Sequence, residues 1–244
     1  MKTEFSKKQS EYWDSYTRGI KILDLVNIPV AEKKELAFLK KLLGNIRGKT
    51  ILDLGCGTGK FGLKLAHEAK KVVGIDISKS SVGIANRTAN HYKIKNFEGV
   101  VGDFKKQGYK DSFDIVLAVN LIHHADDIDV ILKHIKIALK DKGKLIIFEM
   151  NSVNLLFIPF LIMIGQIKSH LTFQYLRSNI FSLKYILTKN GFKIDRHRRW
   201  GWLPTALYNK SLFFKRLNEQ LNKIPLVNQF AAFNVIICSK NISD

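Results

Sequence analysis

The stretch ILDLGCGTGKFG, from Ile51 to Gly62, constrains the fold of this chain more than any other. An apolar run broken only by Asp53 gives way to glycines at positions 55, 57 and 59, with another at 62. Glycine after a strand lets the backbone take positive φ and approach a ligand closely. The helix that follows then offers free N–H groups. The stretch predicts a strand, a loop and a helix, with a ligand seated over the loop.

The neighbouring sequence repeats this rhythm. Apolar runs predict strands at Thr50–Leu54, Lys71–Ile75, Phe97–Val101, Phe113–Val119 and Lys144–Glu149. Helical patterns lie near Lys60–His67, Ser80–His91 and Ile128–Leu139, and one precedes the first strand at Glu32–Leu43. Such alternation argues for an α/β parallel sheet covered on both faces. After Glu149 the rhythm changes. Residues 151–180 are too many for an ordinary connection. A helix at Ser182–Lys189 and a strand at Phe192–Arg198 follow, then a second long stretch, 200–229, and a last strand at Ala232–Ser239. The expectation is a single domain over 1–244, with a core at 49–151 and insertions at 151–180 and 200–229. A chain of 244 residues has room for that and hardly for two independent domains.

Two readings of the glycine run compete. Gly57, Gly59 and Gly62 match the dinucleotide pattern G-x-G-x-x-G, with an acid, Asp76, about 20 residues on. The other takes Asp53-Leu54-Gly55-Cys56-Gly57-Thr58-Gly59 as the unit. A carboxylate two residues before the first glycine can orient the loop and approach a cationic amino group, whereas it would repel a pyrophosphate. S-adenosylmethionine has the amino group and no phosphate. Asp76, ending the second strand, is placed to accept both ribose hydroxyls. Asp103 and Phe104, after the third, can accept from an adenine amino group and flank its ring. Three acids from three successive strand ends, on the edge where open α/β sheets bind ligands, favour this second reading.

These residues together resemble the class I S-adenosylmethionine-dependent methyltransferases, in the branch that includes the ubiquinone and menaquinone enzymes. The resemblance covers about Lys49 to Asn151, and a late helix ending in Asn190-Gly191-Phe192 also fits. It implies a Rossmann-like, doubly wound, seven-stranded sheet in order 3-2-1-4-5-7-6, with only the last strand antiparallel. It implies further that Asp53, Gly55, Gly57 and Gly59 cradle the methionine part, that Asp76 holds the ribose, that Asp103 and Phe104 hold the adenine, that Asn120 lies beside the cofactor, and that Cys56 and Ile77 are also among the cofactor-binding residues. Glu11-Tyr12-Trp13-Asp14-Ser15-Tyr16 resembles a segment that folds over the cofactor in relatives, with Tyr16 the candidate contact; an amphipathic helix packing its aromatics is the competing reading.

Methyl transfer from a sulfonium is an in-line displacement whose leaving group departs neutral. It needs alignment, and a base only where the acceptor must lose a proton. His123 and His124, after the fourth strand, are the candidates for that base; a ring packed near the cofactor is the competing reading. Asp126 and Asp127 fit a helix start enriched in acids, so no metal is assigned. The fourth strand ends in Asn120-Leu121-Ile122-His123 rather than the Asn-Pro-Pro-Tyr of enzymes that methylate DNA base amines.

Charge bears on the acceptor. The net charge is +19, and the last 94 residues hold 13 Lys+Arg against 3 Asp+Glu. A localised basic surface suits an anionic partner. Both insertions mix apolar and basic residues: Leu155–Ile164 with Lys168 and Arg177 in the first, and Trp200, Trp202, Leu203, Leu212, Phe213 and Phe214 with Arg198, Arg199, Lys215 and Arg216 in the second. That mixture suits a hydrophobic small-molecule or lipid-linked acceptor met at an anionic membrane surface; a lid that merely completes the core is the bland alternative. The run LLFIPFLIMIG has 11 residues and contains Pro159, whereas a spanning helix needs roughly 20, so any membrane contact is expected to be peripheral. Two cysteines, Cys56 and Cys238, form no disulfide framework, and no signal peptide is evident, so a cytoplasmic location is expected. The resulting expectation is a methyltransferase using S-adenosylmethionine. An RNA methyltransferase, supported only by charge, and a non-catalytic protein of the same fold are the alternatives.

Overall fold

The computed structural model describes residues 4–154, 178–201, 211–228 and 230–241. Two helices, α1 (Glu4–Tyr16) and α2 (Val30–Leu43), precede β1 (Thr50–Leu54). Then come α3 (Gly62–Ala66), β2 (Lys71–Asp76), α4 (Lys79–His91), β3 (Phe97–Val101), β4 (Phe113–Val119), α5 (Ile128–Ala138) and β5 (Leu139–Met150). The last elements are α6 (Ile180–Lys189), β6 (Phe192–Trp200), α7 (Leu212–Leu221), α8 (Pro225–Asn228) and β7 (Phe233–Lys240). Local chemistry sets many of the boundaries. Ser78, Asp127 and Asn179 cap α4, α5 and α6, each side chain accepting from a backbone N–H in the first turn. Asp127 is therefore a capping residue, as an acid-rich helix start predicts.

The seven strands form one sheet in the order β3-β2-β1-β4-β5-β7-β6. The pairs from β3 through β5 are parallel, and β7 runs antiparallel to both β5 and β6. This is the topology that the resemblance implies. Strand alternation divides the core in two. Leu52, Leu54, Val73, Ile75, Val116 and Ala118 pack on the face covered by α5 and α6. Ile51, Val72, Ile115 and Leu117 pack on the other, with residues of α2, α3 and α4.

β5 begins five residues earlier than its apolar run, because Leu139 pairs with Phe113 and a register shift carries the charged stretch to Lys144, opposite Ile115. Met150 and Trp200 both stand opposite Phe233. β5 and β6 thus end on the same edge as β1 to β4, and both expected insertions leave from it. In the first, Leu155–Ile164, Lys168 and Arg177 lie outside the described residues, as do Trp202 and Leu203 in the second. The described part of the second contains α7, whose Glu219 pairs with Lys34 of α2.

Candidate functional site

β1 delivers the chain into the glycine loop at the sheet's carboxyl edge. Gly55 has φ +71°, and a Cβ there would stand 2.7 Å from Leu121 Cδ1, so both the turn and the close approach exclude a side chain. Asp53 does not join its neighbours Leu52 and Leu54 on the α5 face; by alternation it faces α3. It is only 3% exposed, and its Oδ2 accepts from Gly62 N at 2.9 Å. A Cβ on Gly62 would lie 2.7 Å from that oxygen, which explains the last glycine of the run. Burial, with help from the charge of Asp76, pushes the Asp53 carboxyl up to about 7, although the Gly62 bond pulls it down.

Above the loop lies a cavity of about 270 Å³. Its walls bring together Gly55 and Gly57 from the loop, Asp76 and Ile77 after β2, Asp103 and Phe104 after β3, and Asn120 and His124 after β4. Asp76 shapes the loop as well as lining the cavity. Its Oδ2 accepts from Gly57 N and its Oδ1 from Ser78 N, both at 2.9 Å. Burial raises its pKa, against the pull of those N–H donors. Asp103 caps the short turn Phe104–Lys106 through Lys105 N and lies 3.7 Å from the Lys105 ammonium. Asn120 takes φ +49° and donates its N–H to Phe148 O, pinning the end of β4 to β5.

Several expected site residues lie elsewhere. Asp53 orients the loop from beneath and does not line the cavity. Cys56 is buried against β2, where a Cβ on Gly74 would stand 2.9 Å from its sulfur, and burial pushes its thiol far up. Gly59 is in the turn into α3 rather than in the wall; its N–H bonds Cys56 O. His123 is turned into the core, with Nδ1 2.6 Å from Glu149 Oε2. His124 does line the cavity; burial and the neighbouring His123 push its pKa down to about 2, so it is neutral at ordinary pH. Tyr16 is 69% exposed and stands outside the wall.

The contact from α1 comes instead from Ser6, Gln9 and Trp13, which share one helical face by their spacing. Trp13 meets the His124 ring edge-on at 5.4 Å. Asp14 fixes α1 in place: its Oδ1 accepts from Ser78 Oγ at 2.6 Å and Ser80 N at 3.0 Å, while Ser10 Oγ donates to Ile77 O. Gln9 and Trp13, at i and i+4, carried a signal that the aromatic pattern of Tyr12, Trp13 and Tyr16 hid. No described residue of 211–228 lines the cavity; the Lys34–Glu219 pair holds α7 to α2.

A family model described as a methyltransferase domain matches residues 46–191. The chain belongs to that family. The match takes in the glycine loop, all four strand ends that line the cavity, and α6. Over 156 residues the chain is 29% identical to the ubiquinone biosynthesis O-methyltransferase of Pelagibacter ubique (strain HTCC1062), covering 61% of this chain and 63% of that protein. The match thus spans less than two thirds of that relative. Among solved structures, the magnesium protoporphyrin IX methyltransferase of Synechocystis PCC 6803 with bound SAH is similar at a TM-score of 0.64 and 19% identity, covering 97% of this chain and all of that one. The [4+2]-cyclase SpnF is similar at a TM-score of 0.66 and 18% identity, covering 98% of this chain and 97% of that one. Likeness at such identity establishes the methyltransferase fold and leaves the reaction to the site.

Proposed function

We propose that the protein transfers a methyl group from S-adenosylmethionine to a hydrophobic or lipid-linked small molecule. The observation that carries this reading is the charge of the cavity. In a chain of net charge +19, the described residues of the wall include three carboxylates, Asp76, Asp103 and Asp126, and one ammonium, Lys105, which is beside Asp103. Such a wall repels a pyrophosphate and suits a ligand with cationic centres, which turns the glycine run away from the dinucleotide reading. The donor set fits: carboxylates at the ends of β2 and β3 suit the hydroxyls and amino group of a nucleoside, and the bare glycine backbone suits close approach of an amino-acid tail.

Bound there, S-adenosylmethionine supplies a methyl group already activated on a sulfonium. The work left to the chain is to bind, orient and exclude water. Asp76, which accepts from Gly57 N and so fixes the loop, would hold the ribose end of the ligand. Trp13 and His124 close the wall over the β4 side. Neutral His124 offers a packing surface and is a feeble base, so acceptors that need lose no proton, or lose it readily, suit the site best.

The acceptor reading rests on the distal half of the chain and on what the similar protein is named for. Phe181 and Tyr185 on α6, and Leu212 and Phe213 on α7, are exposed, with Lys184, Lys189, Lys215 and Arg216 on the same two helices. Apolar side chains among cations suit an anionic lipid surface. The buried free thiols of Cys56 and Cys238 suit a reducing cytoplasm. Calorimetric titration with S-adenosylmethionine and with NAD tests the cofactor: binding of the first alone is expected, and Asp76→Ala should weaken it by roughly 1.5–3 kcal/mol. Binding of NAD alone would overturn the reading. Transfer of labelled methyl to a hydroxylated, prenylated aromatic in vesicles, but not to RNA, is the expected result for the acceptor.

A further inference from the structure

Two buried donors stand outside the cavity wall, where the insertions meet the sheet. Ser178, the residue before the cap of α6, is 1% exposed, and its Oγ meets no hydrogen-bond partner among the described residues. Arg199, one residue before the end of β6, has its Nε buried without one. A buried donor with no acceptor is costly and uncommon in a folded protein. For a guanidinium the cost includes its charge, since arginine keeps its proton.

One side chain brings the two together. Asn234 of β7 is fully buried, with Glu149 as its cross-strand neighbour on one side and Arg199 on the other. Such neighbours share a face of the sheet, with Cβ atoms roughly 4.5–5.5 Å apart. Asn234 Nδ2 donates to Ser178 O at 3.4 Å, and its Oδ1 lies 3.0 Å from His197 Nε2. Arg199, Ser178 and His197 therefore surround one amide on the face that α6 covers. Glu149, the acid of this row, has its oxygens engaged by Ile122 N and His123. Among the described residues, no carboxylate pairs with Arg199, with its neighbour Arg198 or with Lys184 of α6. Burial holds His197 below the ordinary histidine range, and the charges of those three cations push the same way, against the Asn234 bond.

We propose that Arg199 and Ser178, with Lys184 and Arg198 around them, bind a phosphate ester group of the methyl acceptor. This rests on the reading of the protein as a methyltransferase with a small-molecule acceptor, and it adds the charge that the acceptor carries. A guanidinium presents a planar fork of donors that matches two oxygens of an oxyanion, and a hydroxyl adds a further donor. Three cations with no paired acid favour a phosphate, which spreads up to two negative charges over its oxygens, over a carboxylate. The order β4-β5-β7-β6 puts β6 three strand spacings, about 14 Å, from the β4 end of the cavity wall. The acceptor is thus an extended molecule, with its methylated end at the cavity and its phosphate at β6. A soluble phosphate ester and a phospholipid headgroup offer the same chemistry, and the test separates them.

The probes are phenyl phosphate, a soluble monoester, and dihexanoyl phosphatidylglycerol below its micellar concentration. Both are titrated calorimetrically at constant ionic strength, because a chain of charge +19 attracts any anion. Arg199→Gln should weaken the tighter probe by about tenfold or more, and Ser178→Ala by about threefold. Arg196→Gln removes an exposed cation from the other face of β6, opposite Ile237, and should leave the affinity within about twofold. In the wild type the bound probe should also move the NMR titration of the His197 ring to higher pH, since an anion there offsets the cations around it. Tighter binding of phenyl phosphate assigns the group to a soluble acceptor; tighter binding of the phospholipid assigns it to a lipid headgroup. Equal weakening by Arg196→Gln and Arg199→Gln, no weakening by Arg199→Gln and Ser178→Ala, or an unmoved His197 would overturn the site. S-adenosylhomocysteine, titrated into the same proteins, shows that each variant is folded and separates the two failures. If the wild type binds it and neither phosphate probe, this site falls and the methyltransferase reading stands. If the wild type binds a phosphate probe and not S-adenosylhomocysteine, the methyltransferase reading falls, and with it the assignment of the phosphate to a methyl acceptor.

Discussion

Glu149 Oε2 stands 2.6 Å from His123 Nδ1, and neither side chain reaches solvent. The other oxygen of Glu149 accepts from Ile122 N at 2.5 Å. One carboxylate on β5 thus holds the whole turn that follows β4, and with it the neighbouring His124 in the cavity wall.

Removing one member of such a buried pair leaves the other without compensation. His123→Ala should lower the free energy of unfolding by about 3 kcal/mol, in the range for a broken buried pair. Glu149→Gln, which keeps an acceptor for Ile122 N, should cost less. Urea denaturation of both variants measures the difference. Equal costs would mean that an amide at position 149 does not preserve the contacts that the carboxylate makes.

His124 touches the cavity but is held neutral, with a pKa near 2. A group so weakly basic at ordinary pH gains little as a general base. His124→Gln should therefore reduce turnover by less than about 10²-fold, the lower bound for loss of a positioned base. A larger loss at unchanged ligand affinity would restore it as the proton acceptor.

Asp53 gives the protein a pH signature. Its carboxyl titrates near 7 when folded and near 3.9 when unfolded. Between those values the folded state holds a proton that the unfolded chain has lost, so this group's contribution to stability falls as pH rises and is flat above about pH 7. Asp53→Asn keeps an acceptor for Gly62 N and removes the titration. The stability of the variant relative to wild type should rise with pH by up to about 1.4 kcal/mol per unit and then level off. A pH-independent difference in urea denaturation would show that Asp53 is ionised throughout.

Asp14 ties α1 to the start of α4 and is absent from the cavity wall. Asp14→Ala should cost about 1 kcal/mol of stability, as loss of a capping side chain does. It should also speed ligand release, because α1 covers the cavity. Stopped-flow dissociation of S-adenosylhomocysteine reads this directly; an unchanged rate would mean that ligand leaves without α1 moving.

The exposed aromatics of α6 and α7, with their lysines and Arg216, should bring the protein to anionic vesicles and not to neutral ones. The attraction should weaken with salt, since exposed charges are screened beyond a Debye length of about 8 Å at physiological ionic strength. Sedimentation with both vesicle types decides it. Absence of pelleting together with tight, salt-sensitive RNA binding would favour the nucleic-acid alternative.

β1, β3 and β4 were legible to the residue because each is a short apolar run closed by loop residues. The start of β5 was not: Lys140 to Lys144 carry no strand signal, and only the shifted pairing with Phe113 extends the strand there. The place of Asp53 could have been read from parity, since it alternates with two leucines of the opposite face. The choice of Trp13 over Tyr16 could not. Both belong to one aromatic cluster, and the part of α1 that overlies the cavity is set by Ser10, Asp14 and Thr17 meeting residues some 63–67 positions away. The buried partner of His123 was hidden for a similar reason: Glu149 is 26 residues distant and reads as an ordinary strand-end acid.

The position of β7 between β5 and β6 has a consequence for how the chain is made. As synthesis proceeds, β2, β3, β4 and β5 each find a neighbour already in place. β6 does not. Its partner is the strand still to come, and until that strand arrives β5 presents an open edge on which another nascent chain can pair. At 5–20 residues per second the roughly forty residues from the end of β6 to the end of β7 take about 2–8 s. For that interval the half-built sheet is exposed on its growing side, and closing it falls to β7. A chain truncated within those forty residues would keep every described residue of the cavity wall and carry an aggregation-prone flank.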